Sequence, residues 1–253
     1  MLLAARGTLR WPNIGRLLVS GPESIRLSCP ECGARHMINR LFRLLLGLFL
    51  YALGIVLTMK ANIGFAPWEV FHAGLGKAVG LSIGNVSIIT GLVIVLAVFL
   101  LGEKLGLGTL MNMVLIGVFM DLLLRLGLVP AMTHWLPGSL LMLAGLFVIA
   151  LASYFYIGSG FGAGPRDGLM VALNRKTGLA IGVCRGSIEV AAVITGWFLG
   201  GMVGVGTVLS ALAIGFCVQI TFRVLRFDAA QVRHETLDRT LKGLVCKSFG
   251  PTD

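Results

Sequence analysis

Charge is scarce in this chain: Asp, Glu, Lys and Arg make up 13% of 253 residues, about half the share found in a soluble domain. Acidic residues are the scarcer kind, 11 against 21 Lys and Arg, and the formal net charge is +10. Catalytic inventories are thin. There are four histidines, no His-Glu-x-x-His and no Walker-type phosphate loop, which leaves zincin and P-loop chemistry without a seat. Five cysteines form no disulfide framework. The first 36 residues carry arginines but no apolar core, which argues against a cleaved signal peptide.

What the chain has in abundance is apolar side chain and glycine. Hydrophobic residues reach 57% and the mean hydropathy is +0.92. A water-soluble fold of this size could not hide that much, so lipid must be the solvent for much of it. Six windows are long enough to cross about 30 Å of hydrocarbon at ~1.5 Å per residue. They are Leu41–Met59, Ile83–Leu101, Leu105–Leu126, Ser139–Ile157, Leu179–Leu199 and Val205–Leu225. Residues 1–40 read as a basic extension without clear periodicity, 41–225 as the membrane domain and 226–253 as a charged tail. Basic residues crowd both ends, among them Arg35, Arg40 and Arg43 before the first span and Arg223, Arg226 and Arg233 after the last. The positive-inside rule then puts both termini in the cytoplasm. No basic domain stands apart from the spans, so nucleic acid is not an expected partner.

The sequence is also written twice. Ile63-Gly64-Phe65-Ala66-Pro67-Trp68-Glu69 parallels Phe161-Gly162-Ala163-Gly164-Pro165-Arg166-Asp167, 98 positions later. At the same offset Gly80-Leu81-Ser82-Ile83-Gly84 meets Gly178-Leu179-Ala180-Ile181-Gly182, Gly117 meets Gly215, and Arg125 meets Arg223. Repeat 1 covers about 41–127 and repeat 2 about 139–225. Each reads as a span, a short interlude and two more spans. Three crossings per copy is an odd number, so the second copy is expected upside down relative to the first, a construction common in transporters.

Each interlude predicts one helix too short to cross, Pro67–Val79 and Pro165–Thr177. Proline at the first helical position needs no N–H donor there. Glu69 and Asp167 complement the positive end of the helix dipole, and Lys77 and the Arg175-Lys176 pair complement the other end. Gly80 and Gly178 supply terminating residues. A Gly/Pro break before a helix N-terminus is a common way to hold an anion or a substrate carboxylate. Gly64, Pro67, Glu69, Gly162, Pro165 and Asp167 are therefore the candidate binding or gating residues. Lying flat at the interface, with Pro and Gly acting only as turn and cap, is the competing fate of such a helix.

This doubled Gly-x-x-Pro-x-[Glu/Asp] element, with the Gly80–Gly84 segment and the long apolar run after it, resembles the bacterial YczE/YyaS/YitT-type membrane proteins, nearest the YczE-like branch. The resemblance runs from about Met37 to Asp228. It implies a polytopic bacterial inner-membrane protein of transporter type and brings neither a substrate nor catalytic residues. Met37, directly before a short basic flank and the first span, reads as an alternative start.

Polar groups inside the spans are the remaining candidates. An ionisable side chain at bilayer depth costs about 2.5–3.5 kcal/mol on insertion scales, so it normally serves a partner or a pathway. Arg185 and Glu189, four apart, are expected to pair, as are Asp121 and Arg125. Glu189, with Asp121 second, is the candidate coupling carboxylate. Asn85, Asn112 and Gln219 are further intramembrane polar residues. His72 reads as an interfacial side chain. Glycines four apart, at Gly80/Gly84, Gly178/Gly182, Gly102/Gly106 and Gly200/Gly204, suit close helix contact and a homo-oligomer. Cys29, Cys32 and His36 have the spacing of half a zinc knuckle, but structural zinc wants four ligands and no second pair follows, so no metal or cofactor is expected.

The sequence therefore predicts an all-α protein of six transmembrane helices, built as two inverted three-span repeats with one short interfacial or re-entrant helix each. The expected activity is not enzymatic. It is alternating access of a small solute to a site between the repeats. The alternative is a membrane accessory protein that holds a partner through its basic tails.

Overall fold

The computed structural model describes residues 30–103, 106–162 and 164–227, with side chains from Met37 onward. Eight helices follow one another: α1 (Pro30–Lys60), α2 (Pro67–Val79), α3 (Ile83–Leu100), α4 (Leu107–Leu126), α5 (Trp135–Gly158), α6 (Pro165–Thr177), α7 (Ile181–Phe198) and α8 (Val205–Val224). The protein is all-α, and six of these helices are long and apolar enough to span a membrane: Met37–Lys60 of α1, then α3, α4, α5, α7 and α8. One boundary differs from the sequence reading. Residues 30–40, expected to be irregular, already belong to α1, which opens on a proline at its first position.

From the short helices onward, the bounds of the second half fall 98 positions after those of the first. Pro67–Val79 maps onto Pro165–Thr177, Ile83–Leu100 onto Ile181–Phe198 and Leu107–Leu126 onto Val205–Val224. Local signals explain the coincidence. Both short helices start on proline and stop on a left-handed glycine, Gly80 (φ 71°) or Gly178 (φ 71°).

α1 and α5 form the centre and run antiparallel. The Arg40 Nε–H, near the start of the membrane-spanning part of α1, donates to Ser159 O beyond the end of α5, at 2.9 Å. At the far end the Met132 N–H, ahead of α5, donates to Lys60 O at 2.8 Å. Between them Gly54 lies against Gly145 and Ile149, and Gly47 against Ala152 and Tyr156, with no room for a methyl group. Small residues facing each other let the two backbones touch. Leu44, Leu48, Ala52, Ile55 and Met59 make the buried stripe of α1, at helical spacing, against Ile116, Met120 and Leu123 of α4 and Ile149 and Tyr156 of α5. Phe42, Leu96, Phe99, Trp197 and Phe198 point away from the protein, as lipid-facing side chains should.

Each short helix packs on a span from the other half: α2 on α7, and α6 on α3. Gly196 lies directly against the backbone of Val70 and Phe71. Lys77, in the last turn of α2, donates from Nζ to Gly200 O at 2.8 Å, just past the end of α7. Its counterpart Arg175, in the last turn of α6, pairs with Glu103 past the end of α3 at 3.0 Å. A cation near carbonyls left open by a helix end is stabilising. The glycine positions expected to drive self-association are thus partly consumed within the fold.

Candidate functional site

The loops leading into the short helices are locked reciprocally onto the opposite half. The Gly206 N–H donates to Ile63 O and the Gly108 N–H to Phe161 O, both at 2.8 Å. Gly64 (φ 120°) abuts the backbone of Gly204, and Gly162 (φ 125°) abuts Gly106. A side chain is barred at Gly64 and Gly162 twice over, by the left-handed backbone and by lack of space. These two candidate residues set the entry angle of α2 and α6 and do not line the cavity described below.

Because α1 and α5 are antiparallel, Lys60 and Gly158 lie at opposite ends of a bundle roughly 36 Å long, from 24-residue spans at ~1.5 Å per residue. Glu69 nevertheless meets Arg166 at 3.6 Å. Both chains must turn back inward to do so, and α2 and α6 start inside the bundle rather than on its surface. α2 is accordingly buried along Pro67, Glu69, Val70, His72, Ala73, Gly74 and Gly76.

Between them is a cavity of about 260 Å³. Its lining includes Trp68 and His72 of α2, Gly164–Asp167 and Met170 of α6, Ser87 and Thr90 of α3, and Asn112 of α4. Tyr51, Ser153 and Tyr156 come from the central pair, and Arg185 and Glu189 from α7. The guanidinium of Arg166 lies 4.7 Å from the Trp68 ring centre while also facing Glu69. Stacking on the indole face holds that cation against the cavity wall. Glu69 is 4% exposed, outside the six spans, and burial pushes its carboxyl above the ordinary range with Arg166 opposing the shift. His72, 2% exposed, is held well below its usual value by burial and then by Arg166. It is a neutral imidazole at pH 7, and its Nδ1 has no partner among the described residues. The Tyr156 hydroxyl is likewise unpartnered among them.

Pro165, Asp167, Glu189, Asn112 and Arg185 all reach the cavity; Pro67, Glu69, Asn85, Asp121 and Gln219 do not line it. Arg185 and Glu189 pair as expected, at 2.9 Å. Asp121 and Arg125 do not, among the described residues. The Asp121 carboxylate instead accepts from the Ser82 hydroxyl and from the Gly84 N–H, the latter at 2.8 Å, because α3 offers it two donors while Arg125 points outward. His72, expected at the interface, is inside. Cys29 lies outside the described residues, as do the side chains of Cys32 and His36.

Sequence reasoning missed Trp68, Arg166, Tyr51 and Tyr156 as cavity residues. Tyr51 carried a signal, since Tyr favours the ends of spans and Tyr51 is mid-span; Tyr156, near the end of α5, carried none. It also missed that Gly80-Leu81-Ser82-Ile83-Gly84 spells Gly-x-Ser-x-Gly. A nucleophile elbow joins a strand to a helix and presents its serine to a base. Ser82 instead joins two helices, accepts from the Asn85 N–H as the N-cap of α3 and donates to Asp121, so the letters carry no such chemistry.

The chain is 35% identical over 187 residues to the uncharacterized membrane protein YczE of Bacillus subtilis, covering 73% of this chain and 83% of that protein. It is 33% identical over 182 residues to an uncharacterized protein of Haemophilus influenzae, covering 72% and 83%. With the Bacillus subtilis protein YyaS it shares 24% over 180 residues, covering 69% and 88%. No solved structure matches the chain. Residues 38–223 match the family described as "Family of unknown function (DUF6198)", and the chain belongs to that family of multi-pass membrane proteins.

Proposed function

We propose that this protein carries a small polar solute across the membrane, exposing the central cavity first to one side and then to the other. The observation that supports this most is the meeting of Glu69 and Arg166 across the cavity wall, from helices entering at opposite ends. Broken or short helices converging near mid-membrane, one from each repeat, form the substrate sites of many secondary transporters. The antiparallel α1–α5 pair, the reciprocal Gly206–Ile63 and Gly108–Phe161 hydrogen bonds and the common offset of 98 all favour two inverted copies.

The cavity favours a small solute. At about 260 Å³ it falls below the ~300–1,000 Å³ of sites for drug-sized ligands. Arg166, Asp167, Arg185 and Glu189 supply both signs of charge, and Asn112, Ser87 and Thr90 supply neutral hydrogen bonds. Glu189 is the coupling carboxylate in this reading, since it lines the cavity. With the basic ends in the cytoplasm, α2 enters from outside and α6 from inside.

A thermal-shift screen of the purified protein against metabolites tests this. A ligand at a hundred times its Kd stabilises the folded state by about 2.7 kcal/mol. At least one small polar solute should raise the melting temperature of the wild type and not of Asn112→Leu. If every stabilising solute acts equally on both, the cavity is not the site.

A further inference from the structure

The two halves differ at one interface. α3 packs along α4, whereas α7 makes no comparable contact with α8. In the first half Gly84 touches Gly117 O, and Ile88 fills the space at Gly117. The equivalents Gly182, Gly186 and Gly215 have nothing within 4 Å of where a side chain would begin. The same small-residue seat is therefore occupied in one half and empty in the other. In the second half α7 stands away from α8, and Gly186 replaces the Ile88 that fills the first seat.

From this asymmetry we infer that the molecule has a second state in which α7 closes on α8, seating Gly182 and Gly186 against Gly215, while α3 leaves α4. This rests on the transport reading and deepens it by naming the two gates. Inverted copies of one unit can exchange conformations, and the exchange turns a cavity open on one side into one open on the other. The N-terminal end of α3 and that of α7 lie on opposite sides, so closing one gate as the other opens gives alternating access. With the basic ends inside, the structure is closed outward and open inward.

The residues account for which gate is shut. Asp121 holds α3 through two hydrogen bonds, from the Ser82 hydroxyl and the Gly84 N–H, and bonds to a charged acceptor are the stronger kind. At the corresponding positions stand Gln219 and Ala180. A neutral amide oxygen could accept from the Gly182 N–H, but alanine offers no hydroxyl. The second gate therefore has one weak bond where the first has two strong ones, and the resting chain keeps the first shut. Asp121, outside the cavity, is a latch residue rather than a ligand for the solute.

Disulfide trapping in membranes tests the inference, in a chain whose native cysteines are replaced by alanine. Gly91→Cys/Met113→Cys joins α3 to α4, where Gly91 already rests on the flexible Met113 side chain. Gly186→Cys/Gly215→Cys joins α7 to α8, and both sites have room for the new side chains. The first pair should oxidise readily and the second in a minor fraction. A chain with all four cysteines should never carry both bonds at once. Asp121→Ala should speed the second disulfide at least about tenfold, the change expected from losing even one of its two hydrogen bonds to a charged group. In the chain lacking native cysteines, Ile88→Cys, whose parent side chain fills the space at Gly117, should be labelled faster by an impermeant reagent once Asp121→Ala is added, as the α3 end opens. A second pair that never joins, both disulfides in one molecule, or no response to Asp121→Ala would each overturn the gates. Gates that alternate in a protein that binds no solute would remove the transport reading alone. Solute uptake with the second pair never joining would remove the gates alone.

Discussion

The carboxylate of Glu69 and the guanidinium of Arg166 stand 3.6 Å apart, although 97 residues separate them and their helices enter from opposite ends of the bundle. Arg166 occupies the position equivalent to Trp68, on which it stacks at 4.7 Å. Arg166 thus rests on the residue 98 positions before it in the doubled sequence pattern.

Glu69 should make stability depend on pH. Its folded-state pKa is raised by burial, against the opposing pull of Arg166. A carboxyl of that kind binds its proton more tightly in the folded chain. Its stabilising contribution is therefore present below the ordinary carboxylate range and is lost as pH rises through the raised value. Glu69→Gln should flatten the melting temperature across that window. It should cost less than the ~3–5 kcal/mol of a stranded buried charge, because Arg166 keeps Trp68 and is 32% exposed. Melting curves of both proteins across the acidic range check this; an unchanged slope would remove Glu69 as its source.

Two glycines of α7 should respond oppositely to one methyl group. Gly196→Ala drives a Cβ into the backbone of Val70 and Phe71. Overpacking costs about 1–3 kcal/mol where a neighbour can yield, and here backbone must yield. A loss of at least ~2 kcal/mol is expected. Gly182→Ala meets nothing within 4 Å and should be neutral or gain up to about 1 kcal/mol in helix propensity. Thermal melts in detergent distinguish the two.

Glu189 should matter for transport and little for stability. Its pair with Arg185 is an i,i+4 contact with 22% and 52% of the side chains exposed, and such pairs are worth about 0.3–0.5 kcal/mol. Glu189→Gln should leave the melting temperature almost unchanged and abolish the pH dependence of solute uptake. Unaltered uptake and pH dependence would end its coupling role.

Sidedness can be read from the two short helices. Lys77 and Lys176, both exposed, close α2 and α6. Cysteines at these positions should react from opposite faces with an impermeant thiol reagent, position 77 from outside and 176 only after permeabilisation. Labelling of both from one side would contradict the inverted arrangement.

Much of the architecture was legible in the residues because its signals are local. Pro67 and Gly80, or Pro165 and Gly178, bracket a helix within thirteen residues, and both helices were located to the residue. Spans follow from hydropathy, and their edges moved by only a few positions except at Pro30. The coupled pair Arg185–Glu189 was legible for the same reason, being one turn apart. Asp121 shows the limit. Its spacing to Arg125 is also one turn, yet it turns to Ser82 and Gly84, whose claim on it exists only once α3 and α4 are side by side.

By itself the sequence determined that this chain lives in a membrane, where its spans fall, that its two halves share one pattern and where the short helices begin. Those properties depend on apolar run length, proline, glycine and charge, which act over a few residues. The tertiary structure alone decided that His72 is buried, that Glu69 answers to Arg166 and that α3 rather than α7 sits against its neighbour. Each depends on surfaces brought together from distant parts of the chain, and packing at that range is set by the shape of both partners, which neither segment's composition contains.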